Sequence, residues 1–192
     1  MPKFVQFDKS EILESLIPLF IDKGYNGTSM QDIVDCTQLN RSSLYNTFGD
    51  KYQLYQAVLK RYSERQNGIS EQILSINPDV KLALRKFLKN LFVTNQKEGQ
   101  PNGCLLTKCA LELSEDQGGI QELLQTRKKV MINALAQVIS KGQEQNNIRP
   151  DLKPEEMALF FYNTIQGLRV LNANCHNEAE TASVIDSLMK QF

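Results

Sequence analysis

The sequence predicts an all-α fold of about nine helices. Apolar residues recur every three or four positions along most of the 192 residues, which is the spacing of an amphipathic helix. No stretch alternates apolar and polar residues over a length typical of a strand. Glycine, proline and asparagine interrupt the apolar pattern at short intervals, so we expect short loops between the helices.

The first three helices are predicted within the first 50 residues. The first should end at Gly24, since glycine is common just beyond a helix. Thr28 or Ser29 should cap a short second helix, because a side-chain oxygen there can accept from an unpaired amide. A third short helix is predicted from about Arg41 to Phe48, behind Asn40 as its N-cap.

The remaining helices are longer on average. Asp50 should cap a long fourth helix whose apolar positions run from Leu54 to Ile69. The Pro78–Asp79 break precedes a fifth helix, and a loop at 98–103 precedes a short sixth helix. The last three predicted helices carry apolar stripes over Ile120–Ile139, Met157–Leu171 and Val184–Met189.

The composition is that of an ordinary globular protein. Apolar residues make up 41% and charged residues 23%, with 22 basic and 22 acidic side chains. Because the net charge is zero, any affinity for nucleic acid must come from a local cluster. The longest apolar run, Met157–Tyr162, is far shorter than the roughly 18 residues of a membrane span, and no signal peptide opens the chain. We therefore expect a cytoplasmic protein without a membrane partner.

The residue types needed for metal binding or covalent catalysis are scarce. The four cysteines, Cys36, Cys104, Cys109 and Cys175, are irregularly spaced, which indicates reduced thiols rather than a disulfide framework. His176 is the only histidine. Zinc and catalytic sites require more ligands or partners than this, so we expect no metal, no cofactor and no enzymatic activity.

Two short helices joined by a tight turn and followed by a long helix are typical of a helix-turn-helix DNA-binding domain. Leu44 and Phe48 are four residues apart and would anchor the third helix. Residues 37–65 contain five basic and two acidic side chains, a local excess of three positive charges. Six side chains of the third helix can donate hydrogen bonds to DNA: Arg41, Ser42, Ser43, Tyr45, Asn46 and Thr47.

Residues 24–55 resemble the DNA-binding domain of TetR/AcrR-type transcriptional repressors. The matching residues are Gly24, Tyr25, Gly27, Thr28, Ser29, Asp32, Ile33, Leu39, Ser43, Leu44, Tyr45, Phe48, Lys51 and Leu54. Two positions depart from the family pattern. Gln38 stands where a turn glycine is usual, so we expect a left-handed residue there at a cost of about 1 kcal/mol. Asn40 replaces the usual serine or threonine and can still cap a helix.

The resemblance implies a ligand- or redox-responsive repressor that binds a palindromic DNA operator as a homodimer. It implies a DNA-binding domain at 1–50 and a helical ligand-binding and dimerisation domain at 51–192. Arg41, Ser43, Tyr45, Asn46 and Thr47 would face the major groove, and Thr28, Tyr45 and Lys51 would contact phosphate. Core packing is the alternative for Tyr45, and a purely solvated side chain is the alternative for Lys51.

The resemblance also implies that the last two helices of each subunit form a four-helix bundle in the dimer. We expect five residues in that interface: Phe161, Ile165, Leu168, Val184 and Leu188. The inducer is unknown, either a small molecule or an oxidant or electrophile. The predicted ligand contacts are Phe87, Leu91, Cys104, Met131, Phe161, Ile165 and Arg169. Ordinary core packing is the alternative for most of them.

Cys104 is the candidate sensor thiol. It follows Gly103 at the expected start of a helix, where unpaired amides favour thiolate, so we expect it to react before the other cysteines. A small buried residue is the alternative. For the whole chain, the alternative is a helical small-molecule or lipid carrier without DNA binding, which would have no reason to expose Arg41, Ser43 and Asn46 together.

Overall fold

The computed structural model describes residues 8–65, 67–94, 103–113, 118–174 and 177–192. Within these ranges the chain is helical, with ten α-helices and one π-helical turn at Asn90–Thr94, and the predicted all-α fold is confirmed. The helices are α1 Lys9–Lys23, α2 Met30–Thr37, α3 Arg41–Phe48, α4 Lys51–Glu64, α5 Ile69–Ile76, α6 Val80–Lys89, α7 Leu105–Glu112, α8 Ile120–Glu144, α9 Pro154–Asn174 and α10 Glu178–Lys190. No helix within the described ranges is long and apolar enough to cross a membrane.

Helices α3 and α4 begin at the predicted caps. The Asn40 side chain accepts from the Ser43 amide at 2.8 Å, and Asp50 accepts from the Gln53 amide at 2.8 Å. Each cap satisfies an amide that has no partner within its own helix. These two caps fix where α3 starts and where α4 follows it.

The predicted long fourth helix is in fact two helices, which raises the number of helices from about nine to ten. Helix α4 ends at Glu64 and α5 begins at Ile69, with Gly68 at φ 72° between them. A left-handed residue does not continue an α-helix, and Asn67 and Gly68 both have low helix propensity. The apolar pattern passes through this break because Ile69 still packs in a core.

The chain divides into two compact units. The first comprises residues 1–66 and 104–123, and the second comprises residues 67–103 and 124–192. The first unit is larger than the predicted domain at 1–50, because α4 packs along α1 and α7 packs against both helices. The functional boundary at residue 50 stays a prediction.

The core of the first unit lies between α1 and α4. Phe20 and Tyr55 are fully buried, and their rings pack edge to face with centroids 4.8 Å apart. Ile33 of α2 and Leu44 of α3 are also buried, so each short helix is anchored by one apolar side chain. Burying side chains of this size stabilises the fold by roughly 1.5–3 kcal/mol each.

The second unit has its own apolar core built from α5, α6, α8, α9 and α10. Phe161 of α9 is fully buried there and packs edge to face on Phe192 with centroids 5.6 Å apart. The same cluster contains Phe87, Met131, Ile165, Leu168 and Leu188, five residues to which the sequence pattern assigned a ligand or a dimer partner.

Gln38 has the left-handed conformation that its departure from the family pattern predicts, with φ 58° and ψ 17°. Replacing it with glycine is expected to raise the free energy of unfolding by about 1 kcal/mol, because glycine has no Cβ to strain there. Urea denaturation measures the change. Asn146→Gly is the control, since Asn146 also has φ 58° but asparagine tolerates this conformation better. A less stable Gln38→Gly variant would contradict the prediction.

Candidate nucleic-acid interface

Helix α3 buries one face and presents its polar residues on the other. Leu44 is buried, whereas Arg41, Ser42 and Asn46 are exposed. Tyr45 is 48% exposed, so its ring is not part of the core. Ser43 and Thr47 are half-buried on the flanks of the helix. The structure thus places four of the six predicted donors at the surface of α3 and the other two at its edges.

Arg41 is linked to the preceding helix. Its Nη2 donates to Gln31 Oε1 at 3.3 Å, and the Gln31 amide in turn donates to Asp35 Oδ1 at 2.8 Å. Both Arg41 and Gln31 are exposed. The contact holds the guanidinium at the amino-terminal end of α3. The sequence reasoning missed Gln31, whose only signal was its place in the first turn of α2.

Thr28 does not have the role that was predicted for it. The side chain is 1% exposed, and its hydroxyl donates to the Gly24 carbonyl oxygen at 2.5 Å. A buried hydroxyl used in this way holds the turn after α1 and cannot reach phosphate. Ser29 is the N-cap of α2 and is exposed, so the hydroxyl at the surface is one residue further along the chain.

The negative charge of Asp32 at the start of α2 is neutralised by a neighbouring lysine. The Asp32 carboxylate accepts from Ser29, closing a capping box, and pairs with Lys23 Nζ at 2.5 Å. The hydrogen bond from Lys23 and those from Ser29 hold the pKa of Asp32 well below its usual range. The acid is therefore ionised but paired, which limits its repulsion of an approaching phosphate.

Lys51 is packed rather than freely solvated. Its Nζ lies 4.3 Å from the centre of the Tyr25 ring, and the side chain is half-buried. Partial burial lowers the pKa of Lys51, and the charges of Glu112 and Asp32 oppose that shift. The Tyr25 ring itself packs on Tyr55 with centroids 5.0 Å apart. Lys51 thus stands at the start of α4 on a rigid aromatic support.

The predicted ligand contacts do not form one group. Phe87, Met131, Phe161 and Ile165 belong to the core of the second unit. Leu91 is exposed and Arg169 is half-buried. Cys104 belongs to the first unit, where the Tyr62 hydroxyl donates to its Sγ at 3.7 Å.

The exposure expected for Cys104 is wrong. It does stand at the N-cap of α7, but its side chain is only 4% exposed. A thiol must be both ionised and accessible to react early, and burial removes the second condition. Cys36 is exposed and donates to the Ser15 carbonyl oxygen at 3.4 Å. On exposure alone, Cys36 should be modified before Cys104 and Cys109.

The predicted dimer stripe is largely internal to one chain. Phe161, Ile165, Leu168 and Leu188 are at most 3% exposed, and only Val184 is at the surface. Helix α9 is apolar on more than one face. Its apolar pattern therefore does not show which face packs inside the chain and which faces outward. Four apolar residues of α9 are exposed instead: Leu159, Phe160, Val170 and Leu171.

The exposed side of α9 and α10 carries an apolar groove. Its volume is about 500 Å³, and Phe160, Thr164, Val184 and Ser187 are among its lining residues. Gly167 lies on the same side of α9, and a Cβ built there would meet no atom of the described residues within 4 Å. Nothing in the part of the chain that the structure describes therefore requires a glycine at this position.

The described residues contain no group of three or more histidine, cysteine, aspartate or glutamate side chains that could hold a metal ion. Among the buried groups of the first unit, burial raises the pKa of the Tyr55 hydroxyl. In the first unit, the groups available to bind a ligand are the hydrogen-bond donors of α3 and the positive charge of Lys51 beside it.

Several known regulators are similar to this chain. The repressor ComR of Escherichia coli K12 is 29% identical over 165 residues, which cover 85% of this chain and 79% of ComR. The repressor DhaR of Mycobacterium sp. strain GP1 is 27% identical over 160 residues, which cover 83% of this chain and 79% of DhaR.

Solved structures share the fold. A cysteine mutant of the TetR-family regulator CifR in complex with 26-bp operator DNA superposes with a TM-score of 0.84 at 20% identity, over the full length of both chains. The reduced form of E. coli NemR gives a TM-score of 0.81 at 18% identity, covering 94% of this chain and 95% of NemR.

The two parts of the chain match two sequence families. Residues 12–58 match the family described as bacterial regulatory proteins, tetR family. Residues 82–188, more than half of the chain, match the tetracyclin repressor-like C-terminal domain. Together with the exposed polar face of α3, these matches show that the chain belongs to the TetR family of bacterial regulatory proteins.

Proposed function

We propose that this chain is a ligand-responsive transcriptional repressor that binds a palindromic DNA operator as a homodimer. One observation carries the proposal: α3 is anchored by buried Leu44 and presents four exposed polar side chains, those of Arg41, Ser42, Tyr45 and Asn46. A helix in this position can enter the major groove and donate to base edges. The relatives ComR and DhaR are both described as transcriptional repressors.

The residues of the interface divide into two roles. Arg41 can donate to the two acceptors of guanine, and Asn46 can pair with adenine, so these two side chains would specify sequence. Lys51, Ser29 and the Tyr45 hydroxyl would contact phosphate and fix the register of α3 on the duplex. Binding to guanine requires Arg41 to release Gln31, which exchanges one exposed hydrogen bond for a charge-assisted pair.

Two subunits are needed to read a palindrome, because each α3 spans only one half-site. The apolar surface of α9 and α10 would supply the dimer interface. Phe160 and Leu171 are exposed by 51% and 63%, and Val184 adds a third apolar side chain. The open space at Gly167 would let a helix of the second subunit approach closely.

An inducer would act by favouring a dimer in which the two α3 helices are wrongly spaced for DNA. It must therefore bind that state better than the DNA-binding state, and a coupling of about 1–3 kcal/mol would weaken operator binding five- to 150-fold. The predicted contacts Phe87, Met131, Phe161 and Ile165 share one core, so a ligand there would have to displace packed side chains. The burial of Cys104 argues against this thiol as the sensor of an oxidant.

Replacing Lys51 with alanine should weaken binding to every DNA sequence alike, because a phosphate contact carries no base information. In a dimer the replacement removes two such contacts, so the slope of log Kd against log salt should fall by about 1.8. Fluorescence anisotropy with a random 30-bp duplex at several salt concentrations measures both effects. Lys60→Ala, at an exposed lysine further along α4, is the matched control.

The same titration tests the proposed function itself. Clear, salt-dependent binding of the unmodified chain to duplex DNA supports it. Absence of binding at low salt would favour a helical carrier instead, since a carrier with zero net charge should show little binding to DNA.

A further inference from the structure

Helix α7 holds the carboxyl end of α1 through Lys108. The ammonium group donates to the Ile21 carbonyl oxygen at 3.0 Å and also to the carbonyl oxygen of Asp22. Carbonyls in the last turn of a helix have no partner within the helix, and the helix dipole favours a positive charge beside them. Lys108 therefore fixes α7 to the point where α1 stops.

Glu112 holds the loop that follows. One turn after Lys108 on the same face of α7, its Oε2 accepts from the Tyr25 amide at 2.6 Å and from the Asn26 amide at 3.2 Å. The carboxylate is part-buried, and both bonds are charge-assisted. One acidic side chain of α7 thus binds two backbone amides that are 86 and 87 residues away in sequence.

Gly24 leaves space for the Glu112 carboxylate. It has φ +74°, which favours glycine, and a Cβ at this position would lie 1.7 Å from Glu112 Oε1. No side chain fits in that space while the carboxylate is there. The backbone conformation therefore favours glycine at the end of α1, and any side chain there would displace the Glu112 carboxylate.

The loop held by Glu112 supports the phosphate-contacting residues. The Tyr25 ring lies under Lys51 Nζ at 4.3 Å, and the Gly24 carbonyl accepts from buried Thr28, the residue before the α2 cap Ser29. The charge of Glu112 also opposes the effect of burial on the pKa of Lys51. A shift of the loop would move both the start of α2 and the support of Lys51.

We propose that Glu112, assisted by Lys108, is a positioning residue for DNA binding: it clamps the α1–α2 loop to α7 and thereby holds Lys51 and Ser29 against the phosphates. The inference rests on the proposed function. It adds that operator affinity depends on two side chains of α7 that do not themselves touch DNA.

A double-mutant cycle tests this inference, using an operator selected from random DNA by the unmodified chain. Glu112→Gln keeps the size of the side chain but removes its charge, and it should weaken operator binding about tenfold. In a Lys51→Ala background the same change should cost only about threefold, because the effect through Lys51 is gone and the effect through Ser29 remains. Glu64→Gln, at an exposed glutamate of α4, should change nothing.

Amide hydrogen exchange provides a readout that is independent of DNA. The Tyr25 and Asn26 amides should exchange faster in Glu112→Gln, while amides within α4 keep their protection. If Glu112→Gln does not fold, Glu112→Asp retains the charge and withdraws it by one methylene, and the same cycle applies to it. Unchanged operator affinity, or an equal loss with and without Lys51, would overturn the inference. Failure of the unmodified chain to select any operator would instead overturn the proposed function.

Discussion

Replacing Leu171 with aspartate is expected to separate the proposed dimer while each chain remains folded. Leu171 is 63% exposed in the single chain, so a charge there costs little until a second subunit covers it. In the dimer the same charge would be buried without a partner, which typically costs several kcal/mol. Sedimentation velocity should show a monomer at micromolar protein, and affinity for a full operator should fall roughly a hundredfold or more.

Two controls define the outcome. Leu168→Asp should unfold the chain rather than dissociate it, because Leu168 is only 3% exposed and lies in the core. Leu82→Asp, at an exposed leucine of α6, should leave both the dimer and the fold unchanged. An intact Leu171→Asp dimer with normal operator affinity would show that the subunits meet elsewhere.

Replacing Arg41 and Asn46 together with alanine is expected to abolish sequence preference while general DNA affinity remains. Each bidentate base contact contributes about 1–3 kcal/mol of discrimination, and a dimer loses four of them. Operator affinity should therefore drop toward the non-specific level, a loss of at least about a thousandfold. Competition between operator and random duplexes measures the ratio of the two affinities.

The salt dependence distinguishes this variant from Lys51→Ala. Loss of base contacts should leave most of the slope of log Kd against log salt intact, whereas loss of Lys51 should reduce it. Glu64→Gln, at an exposed glutamate of α4, is a suitable control. If the double variant keeps its sequence preference, α3 is not the recognition helix.

The DNA-binding part could be predicted from sequence because its signals are local. The caps Asn40 and Asp50 are short-range features of the chain, and the left-handed Gln38 follows from its place in the turn. The prediction that Thr28 contacts phosphate was wrong. Thr28 and Ser29 both carry a hydroxyl and both fit the sequence pattern of the α2 cap, and only the fold decides which of the two side chains is buried.

Features that depend on distant contacts could not be predicted. The sequence of α9 is apolar on several faces, so it does not reveal that Phe161 and Leu168 face the core while Phe160 and Leu171 face outward. Nothing near Glu112 in sequence indicates that its carboxylate binds the Tyr25 amide. The reactivity expected of Cys104 rested on its helix-terminal position, and the neighbours that bury it come from elsewhere in the chain.

Selection of DNA from a random library by the unmodified chain is the decisive experiment for operator binding. We expect an enriched imperfect palindrome whose half-sites are centred about one helical turn, roughly 34 Å, apart or a multiple of it. Arg41→Ala should relax one base position in each half-site of that sequence. Recovery of no enriched sequence by a chain that is folded and dimeric would show that the protein does not bind an operator.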